Sequence, residues 1–188
     1  MTEQVIDRER PDLGGNIRNG DICTHNPILW RYLLERFAVQ SVLDVGCGEG
    51  HAVAFFRRQC CIAHGIDGLE LNVRRAVTPI ALHDLTRSAL LMPVDMVWSC
   101  EVAEHLPDET IDYFIDTLAN GRVVAMTHAI PGQPGHNHIN CQPQEYWVNK
   151  MAAKGFTLDS QNEEYRRVAA TDIIFNYFTT SGLIFHRQ

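Results

Sequence analysis

Missing from this 188-residue sequence are a C-x-x-C pair, an apolar run approaching the roughly 20 residues that cross a bilayer, and an excess of basic charge. Each absence removes a class of function. The six cysteines, at positions 23, 47, 60, 61, 100 and 141, match no metal-ligand spacing and read as reduced thiols of a cytoplasmic protein. Met1 to Arg10 is polar and charged with no apolar h-region, so neither secretion nor membrane insertion is expected. The formal net charge of −7 disfavours nucleic acid as a partner, and the pairs Arg57-Arg58, Arg74-Arg75 and Arg166-Arg167 read as solvated helix faces rather than a phosphate-binding patch. Internal repeats and low-complexity tracts are absent too.

With 45% hydrophobic and 21% charged residues, the chain suits one globular domain with a substantial core. Its most informative stretch is Ser41-Val-Leu-Asp-Val-Gly-Cys-Gly-Glu-Gly50. Val42, Leu43 and Val45 make a buried parallel strand, and Gly46, Gly48 and Gly50 let the backbone turn where a Cβ would collide with a bound ligand. The dinucleotide fingerprint G-x-G-x-x-G is not met, because His51 stands where its third glycine would fall. A second apolar stretch, Cys61 to Ile66, ends at Asp67, whose carboxylate can accept hydrogen bonds from both hydroxyls of a ribose. A third, Pro79 to His83, ends at Asp84-Leu85, and a fourth, Asp95 to Cys100, runs into Glu101-Val-Ala-Glu-His-Leu-Pro107.

Asp44-x-Gly46-x-Gly48-x-Gly50, the acids closing the next two strands, and the Glu101 to Leu106 stretch together resemble the class I S-adenosylmethionine-dependent methyltransferases, of the small-molecule type with type 11 or type 23 domains. The resemblance implies S-adenosyl-L-methionine as cofactor. It implies a site built from Asp44, Gly46, Cys47, Gly48, Gly50, Asp67, Gly68, Cys100 and Glu101, with Asp84 and Leu85 at the adenine. It also implies an α/β fold: a Rossmann-like, doubly wound, seven-stranded, mostly parallel sheet with its last strand antiparallel and helices on both faces.

Residues 25–188 are expected to form a single methyltransferase domain, preceded by residues 1–24 as a frayed end or a lid over the cofactor. Asn26-Pro27 opens a helix running to about Ala38, with Asn26 as its cap. Further helices are expected over His51–Arg58, Leu69–Val77, Asp108–Leu118 (capped by Asp108), Pro143–Lys154 and about Val168–Phe178, and strands over Arg122–His128, Phe156–Asp159 and Gly182–His186. The glycine- and proline-rich stretch Ala129 to Asn140 reads as a loop at the ligand-binding edge of the sheet.

Methyl transfer asks the protein to align the nucleophile and exclude water, and any proton on the acceptor must leave. Histidine suits that task, which makes His105, His136 and His138 the candidate catalytic residues, with His128 beside them. His128, His136 and His138 could meet around zinc, but no cysteine pair or acid at matching intervals joins them, so no metal is expected. The expected acceptor is an oxygen or nitrogen of a small molecule or sugar; oligomeric state is left open. The alternatives are a nucleic-acid or protein methyltransferase of the same fold and a non-catalytic S-adenosylmethionine-binding module. Against the nucleic-acid version, Ser99-Cys100-Glu101-Val102 replaces the D-P-P-Y tetrapeptide, and there is no Pro-Cys nucleophile.

Overall fold

Continuous apolar runs in neighbouring strands, whose successive side chains point to opposite faces, decide the architecture. The structure, a computed structural model, describes residues 4–5, 10, 12–13 and 16–187. A short antiparallel pair, β1 (Gln4–Val5) and β2 (Asn16–Ile17), precedes α1 (Pro27–Arg36). Then come β3 (Ser41–Val45), α2 (His51–Arg58), β4 (Ile62–Asp67), α3 (Glu70–Arg75), β5 (Ala81–Leu82), β6 (Val94–Ser99), α4 (Ile111–Leu118) and β7 (Gly121–Met126). The chain closes with α5 (Gln144–Ala152), β8 (Phe156–Leu158), α6 (Asn162–Ala169), α7 (Phe178–Ser181) and β9 (Leu183–Arg187). The seven-stranded sheet runs β5-β4-β3-β6-β7-β9-β8, and β9 is antiparallel to both of its neighbours while the other pairings are parallel. This is the doubly wound sheet expected from the sequence.

The alternation sorts the core into two layers. Val42, Met96, Trp98, Val123 and Ala125 face α1, α2 and α6, where Leu29, Leu33, Phe56 and Tyr165 are fully buried. Leu43, Val45, Val97, Val124 and Met126 face α4 and α5, against Phe114, Ile115, Trp147 and Met151. Burying side chains of this size stabilises the fold by about 1.5–3 kcal/mol each. The winding reverses between β3 and β6, and a parallel sheet opens a crevice at the carboxyl ends of the strands beside such a switch. Asp44, Asp67 and Glu101 all stand at that edge, at or just beyond the ends of β3, β4 and β6.

Three local expectations are corrected. The helix expected over Val168–Phe178 is instead the earlier α6 and the later one-turn α7; Ile173, Ile174 and Phe175 between them are exposed, so their apolar character belongs to a surface loop. Asn26 precedes α1 but makes no cap hydrogen bond; its buried Nδ2 donates to the Thr24 carbonyl at 2.8 Å, turning the side chain back into the preceding loop. Asp108 does not cap α4 either, for it opens a short 3-10 turn and accepts a hydrogen bond from the Tyr146 hydroxyl.

Candidate active site

The loop after β3 is held before any ligand arrives. Gly46 and Cys47 both donate their N–H groups to the Ile66 carbonyl, at 2.9 and 3.0 Å, pinning the turn onto β4. Asp67 completes the tie: one carboxylate oxygen accepts from Gly48 N at 2.8 Å, the other from Leu69 N and Asn72 Nδ2, both at 2.9 Å. Two carboxylate oxygens offer about four lone-pair sites. Three are engaged inside the protein, which presets the loop geometry and leaves one lone pair free. Burial lifts the Asp67 carboxyl to about 6 against those hydrogen bonds, and burial followed by the charge of Asp67 lifts Asp44 to about 8. Two buried acids side by side make a strongly acidic pocket once ionised, suited to a cation.

Gly46 and Gly48 line the cavity, and Gly46 and Gly50 also answer to packing. Gly46, Gly48 and Gly50 all have positive φ, at 69°, 54° and 80°. At Gly46 a Cβ would stand 2.3 Å from Val102 Cγ2, and at Gly50 it would stand 3.0 Å from Ile80 Cγ2. The space a side chain would take is filled by protein rather than kept for a ligand. Gly50 moreover lies off the cavity and acts as the left-handed residue that starts α2.

A cavity of about 360 Å³ opens at this edge, within the range of small-molecule sites. Asp44, Gly46, Cys47, Gly48, Asp67, Gly68, Leu85, Cys100, Glu101, His105, His136 and His138 all line it. Asp84, expected at the adenine, is not among the lining residues. Its carboxylate accepts from both Thr86 N and Thr86 Oγ1, at 2.9 and 2.7 Å, and pairs with Arg10 at 2.9 Å. Burial works to raise that carboxyl, but Thr86 and Arg10 outweigh it and hold it below the usual range. His83 stands on the cavity wall instead, beside Leu85. The thiols of Cys47 and Cys100 are pushed well up by burial and stay protonated, which makes them packing groups and not nucleophiles.

Further residues line the cavity, some from the segment offered as a lid. Leu13, Ile17, Asp21 and His25 bring the N-terminal segment onto the cavity, and Tyr177 meets it from the loop before α7, donating its hydroxyl to Asp21 Oδ2 at 3.1 Å. His51, informative in the sequence only as a missing glycine, has its ring 2.7 Å from where a Cβ on Gly20 would be. Asn72 lies on α3, with no sequence signal that it would turn back to Asp67.

Across the cavity, Glu101 and Asn137 adopt left-handed φ values of 58° and 54°, a strain on non-glycine residues that concentrates at functional sites. Thr127 Oγ1 bonds Glu101 twice, receiving from its backbone N at 2.8 Å and donating to Oε1 at 3.0 Å. The segment Ile139-Asn140 is docked on the same turn by two N–H donors to the Glu104 carbonyl at 2.9 and 3.0 Å, and by Asn140 Nδ2 to the Leu106 carbonyl at 3.0 Å. His105 Nδ1 lies 3.1 Å from the Asn137 carbonyl; since that oxygen can only accept, Nδ1 carries the proton and Nε2 keeps its lone pair. Burial lowers His105 to about 4, keeping it neutral. Burial raises Glu101 and raises Glu104 further still, the second also by the charge of the first.

The fold recurs in known structures. The sugar N-methyltransferase KedS8 of Streptoalloteichus sp ATCC 53650 superposes with a TM-score of 0.66 at 15% identity, covering 91% of this chain and 90% of its own. The magnesium protoporphyrin IX methyltransferase ChlM of Synechocystis PCC 6803, crystallised with bound SAH, gives 0.65 at 19% identity over 86% of this chain and 80% of its own. The chain has the class I methyltransferase fold. A TehB-like SAM-dependent methyltransferase of Corynebacterium glutamicum gives 0.63 at 15% identity, covering 91% of each chain. No protein-family model and no curated protein matches the sequence. The β3 loop and Asp67 form one half of the cavity, and the Glu101–Leu106 turn with its docked loop forms the other half. No helix among the described residues is long and apolar enough to cross a membrane.

Proposed function

We propose that this chain is an S-adenosylmethionine-dependent methyltransferase acting on an oxygen or nitrogen of a small molecule or sugar. The observation that carries the reading is Asp67, bonded to Gly48 N at the carboxyl edge of β4 and sharing one cavity with Asp44 and Glu101. Three carboxyl groups around a site of this size fit a cofactor that is cationic at sulfur and carries an ammonium group. S-adenosylmethionine supplies an electrophilic methyl group when bound.

The chain's own residues do the rest. Asp67 holds a ribose hydroxyl with the lone pair left to it, Leu85 and His83 border the adenine, and Gly46 with Gly48 presents backbone to the amino-acid end. Residues 17–25 cover the cavity as a lid, latched by Tyr177 to Asp21. An acceptor entering beside His136, which is exposed at the mouth, can pass its proton to that ring. That KedS8 is a sugar N-methyltransferase and ChlM a magnesium protoporphyrin IX methyltransferase supports an acceptor of low molecular weight.

Calorimetry on the full chain tests the donor. S-adenosylmethionine and S-adenosylhomocysteine are expected to bind at micromolar concentrations, NAD not at all, and Asp67→Ala to weaken binding by at least about a hundredfold, since two backbone donors lose a buried partner as well. Absence of binding by both adenosyl compounds would sink the proposal. Binding without methyl transfer to any acceptor in a broad screen would favour the non-catalytic module.

A further inference from the structure

Glu104 is fully buried, and neither of its carboxylate oxygens has a well-formed hydrogen bond; the nearest polar groups are the backbone of Glu104 and Ala129 and the Glu101 carboxyl. A buried carboxylate left this way is expensive, and native proteins resolve it by keeping the group protonated, by pairing the charge or by coordinating a metal. The Glu101 carboxyl stands beside it, another acid rather than a cation. The neighbours that can offer it something else are His105 and His138. One ligand atom from each of Glu104, His105 and His138 lies within 4.8 Å of the other two, and the two rings meet edge-on with centroids 5.2 Å apart.

We propose that Glu104, His105 and His138 bind a divalent first-row transition ion, a site additional to the donor pocket. Two imidazoles and a carboxylate are a donor set that such ions favour. Ligand atoms at about 2.1 Å from a tetrahedral metal are about 3.4 Å apart, so closing the cluster around an ion needs shifts of up to about 1 Å per ligand, within the reach of side-chain adjustment. The preparation is visible in the second layer of contacts. His105 Nδ1–H donates to the Asn137 carbonyl, which leaves Nε2 as the free lone pair, the arrangement ligating histidines adopt. His138 Nδ1 is buried without a partner, and Gly135 leaves space for its ring, since a Cβ there would lie 2.1 Å from Nε2. The two N–H donors from Ile139 and Asn140 to the Glu104 carbonyl bring His138 to its place. His105 and His138 line the cavity while Glu104 lies behind its wall, so the ion's remaining positions would face the cavity and could take an acceptor oxygen. Only that last use rests on the methyl-transfer reading; metal binding does not.

The test uses Co2+ alone, added to chelator-treated full-length protein with no adenosyl compound present, and read by calorimetry and visible d–d absorption. One equivalent is expected to bind. Glu104→Gln, which keeps the shape of the side chain, and His138→Ala, in the docked loop, should each weaken binding at least tenfold, and His64→Ala, on an exposed β4 position, should leave it unchanged. Circular dichroism establishes that each variant is folded, and S-adenosylhomocysteine binding measured on the same samples reports the donor site separately. No Co2+ binding by the wild-type chain, or binding that both Glu104→Gln and His138→Ala retain, would overturn the metal site whatever the adenosyl result.

Discussion

The two halves of the cavity are built in opposite ways. On the donor side, that of the β3 loop, the backbone turn is tied internally: Asp67 accepts three hydrogen bonds, Gly46 and Cys47 share the Ile66 carbonyl, and Val102 and Ile80 fill the space above Gly46 and Gly50, while His51 Nε2 at the rim is buried without a hydrogen-bond partner. On the other side the backbone is equally well docked, but Glu104 and His138, which stand together, keep buried polar atoms without partners. A loop preset in this way needs only to receive a ligand of fixed shape. The other half has bonding capacity to spare, and there the acceptor chemistry has to be sought.

Damage to the donor half should therefore be large and should reach the whole fold. Gly46→Ala combines a left-handed backbone with a Cβ 2.3 Å from Val102 Cγ2. Backbone strain of about 1 kcal/mol and overpacking of about 2 kcal/mol add to roughly 3 kcal/mol, or a fall of roughly 10 °C in melting temperature. Adding Val102→Ala should recover the steric part and leave the backbone part. Thermal melts of the single and double variants check this. If Gly46→Ala is neutral, the donor loop is more yielding than its packing implies, and the contrast between the halves fails.

The next effect is electrostatic and comes from the pair Asp44 and Asp67, with the Cys47 thiol beside them. Burial holds Asp44 near 8 and Asp67 near 6, whereas an unfolded aspartate titrates near 3.9. A raised folded value means that the native chain keeps protons the unfolded chain has lost. The stability this lends is complete below pH about 3.9 and drains away as pH rises through 6 and 8. A cationic ligand reverses the preference, because it favours the ionised acids. Melting temperature without ligand should therefore fall between pH 6 and pH 8 while S-adenosylmethionine affinity rises, by about tenfold for one proton released over the last unit. Asp44→Asn should flatten both curves near pH 8. Affinity that is flat in the wild-type chain would mean the acids do not face the ligand's charge.

What the sequence disclosed follows the same division. The donor half lies in one contiguous strand, loop and helix, and its partner Asp67 is 19 residues beyond Gly48, so local pattern and spacing found it. The sheet order was legible for the same reason: each strand carries its own apolar run. The other half is assembled from pairs far apart in the chain, such as His105 with the Asn137 carbonyl across 32 residues and Tyr177 with Asp21 across 156, which no local period marks. Glu104 sat unremarked inside the motif that pointed to its neighbours. Asp84 was placed at the right strand end, yet a carboxylate's partners there depend on Thr86 and on Arg10, 74 positions upstream. Ile173, Ile174 and Phe175 misled because an exposed apolar loop and a buried helix face look alike in sequence.

The smallest expected effect bears on the boundary between the halves. The Tyr177 hydroxyl donates to Asp21 Oδ2, and Tyr177 N donates to the Cys23 carbonyl at 3.2 Å, so a C-terminal loop holds the N-terminal segment over the cavity. Tyr177→Phe keeps the ring and the backbone bond and removes one hydrogen bond to a carboxylate, worth about 1.5 kcal/mol. If residues 17–25 act as a lid, that loss appears as a roughly tenfold faster release of S-adenosylhomocysteine, while melting temperature shifts by no more than about 6 °C. A fall in melting temperature with unchanged release would make the latch a part of the fold and not of the site. The N-terminal segment would then belong with the completed donor half, and the boundary between the two halves would move to the Glu101–Leu106 turn.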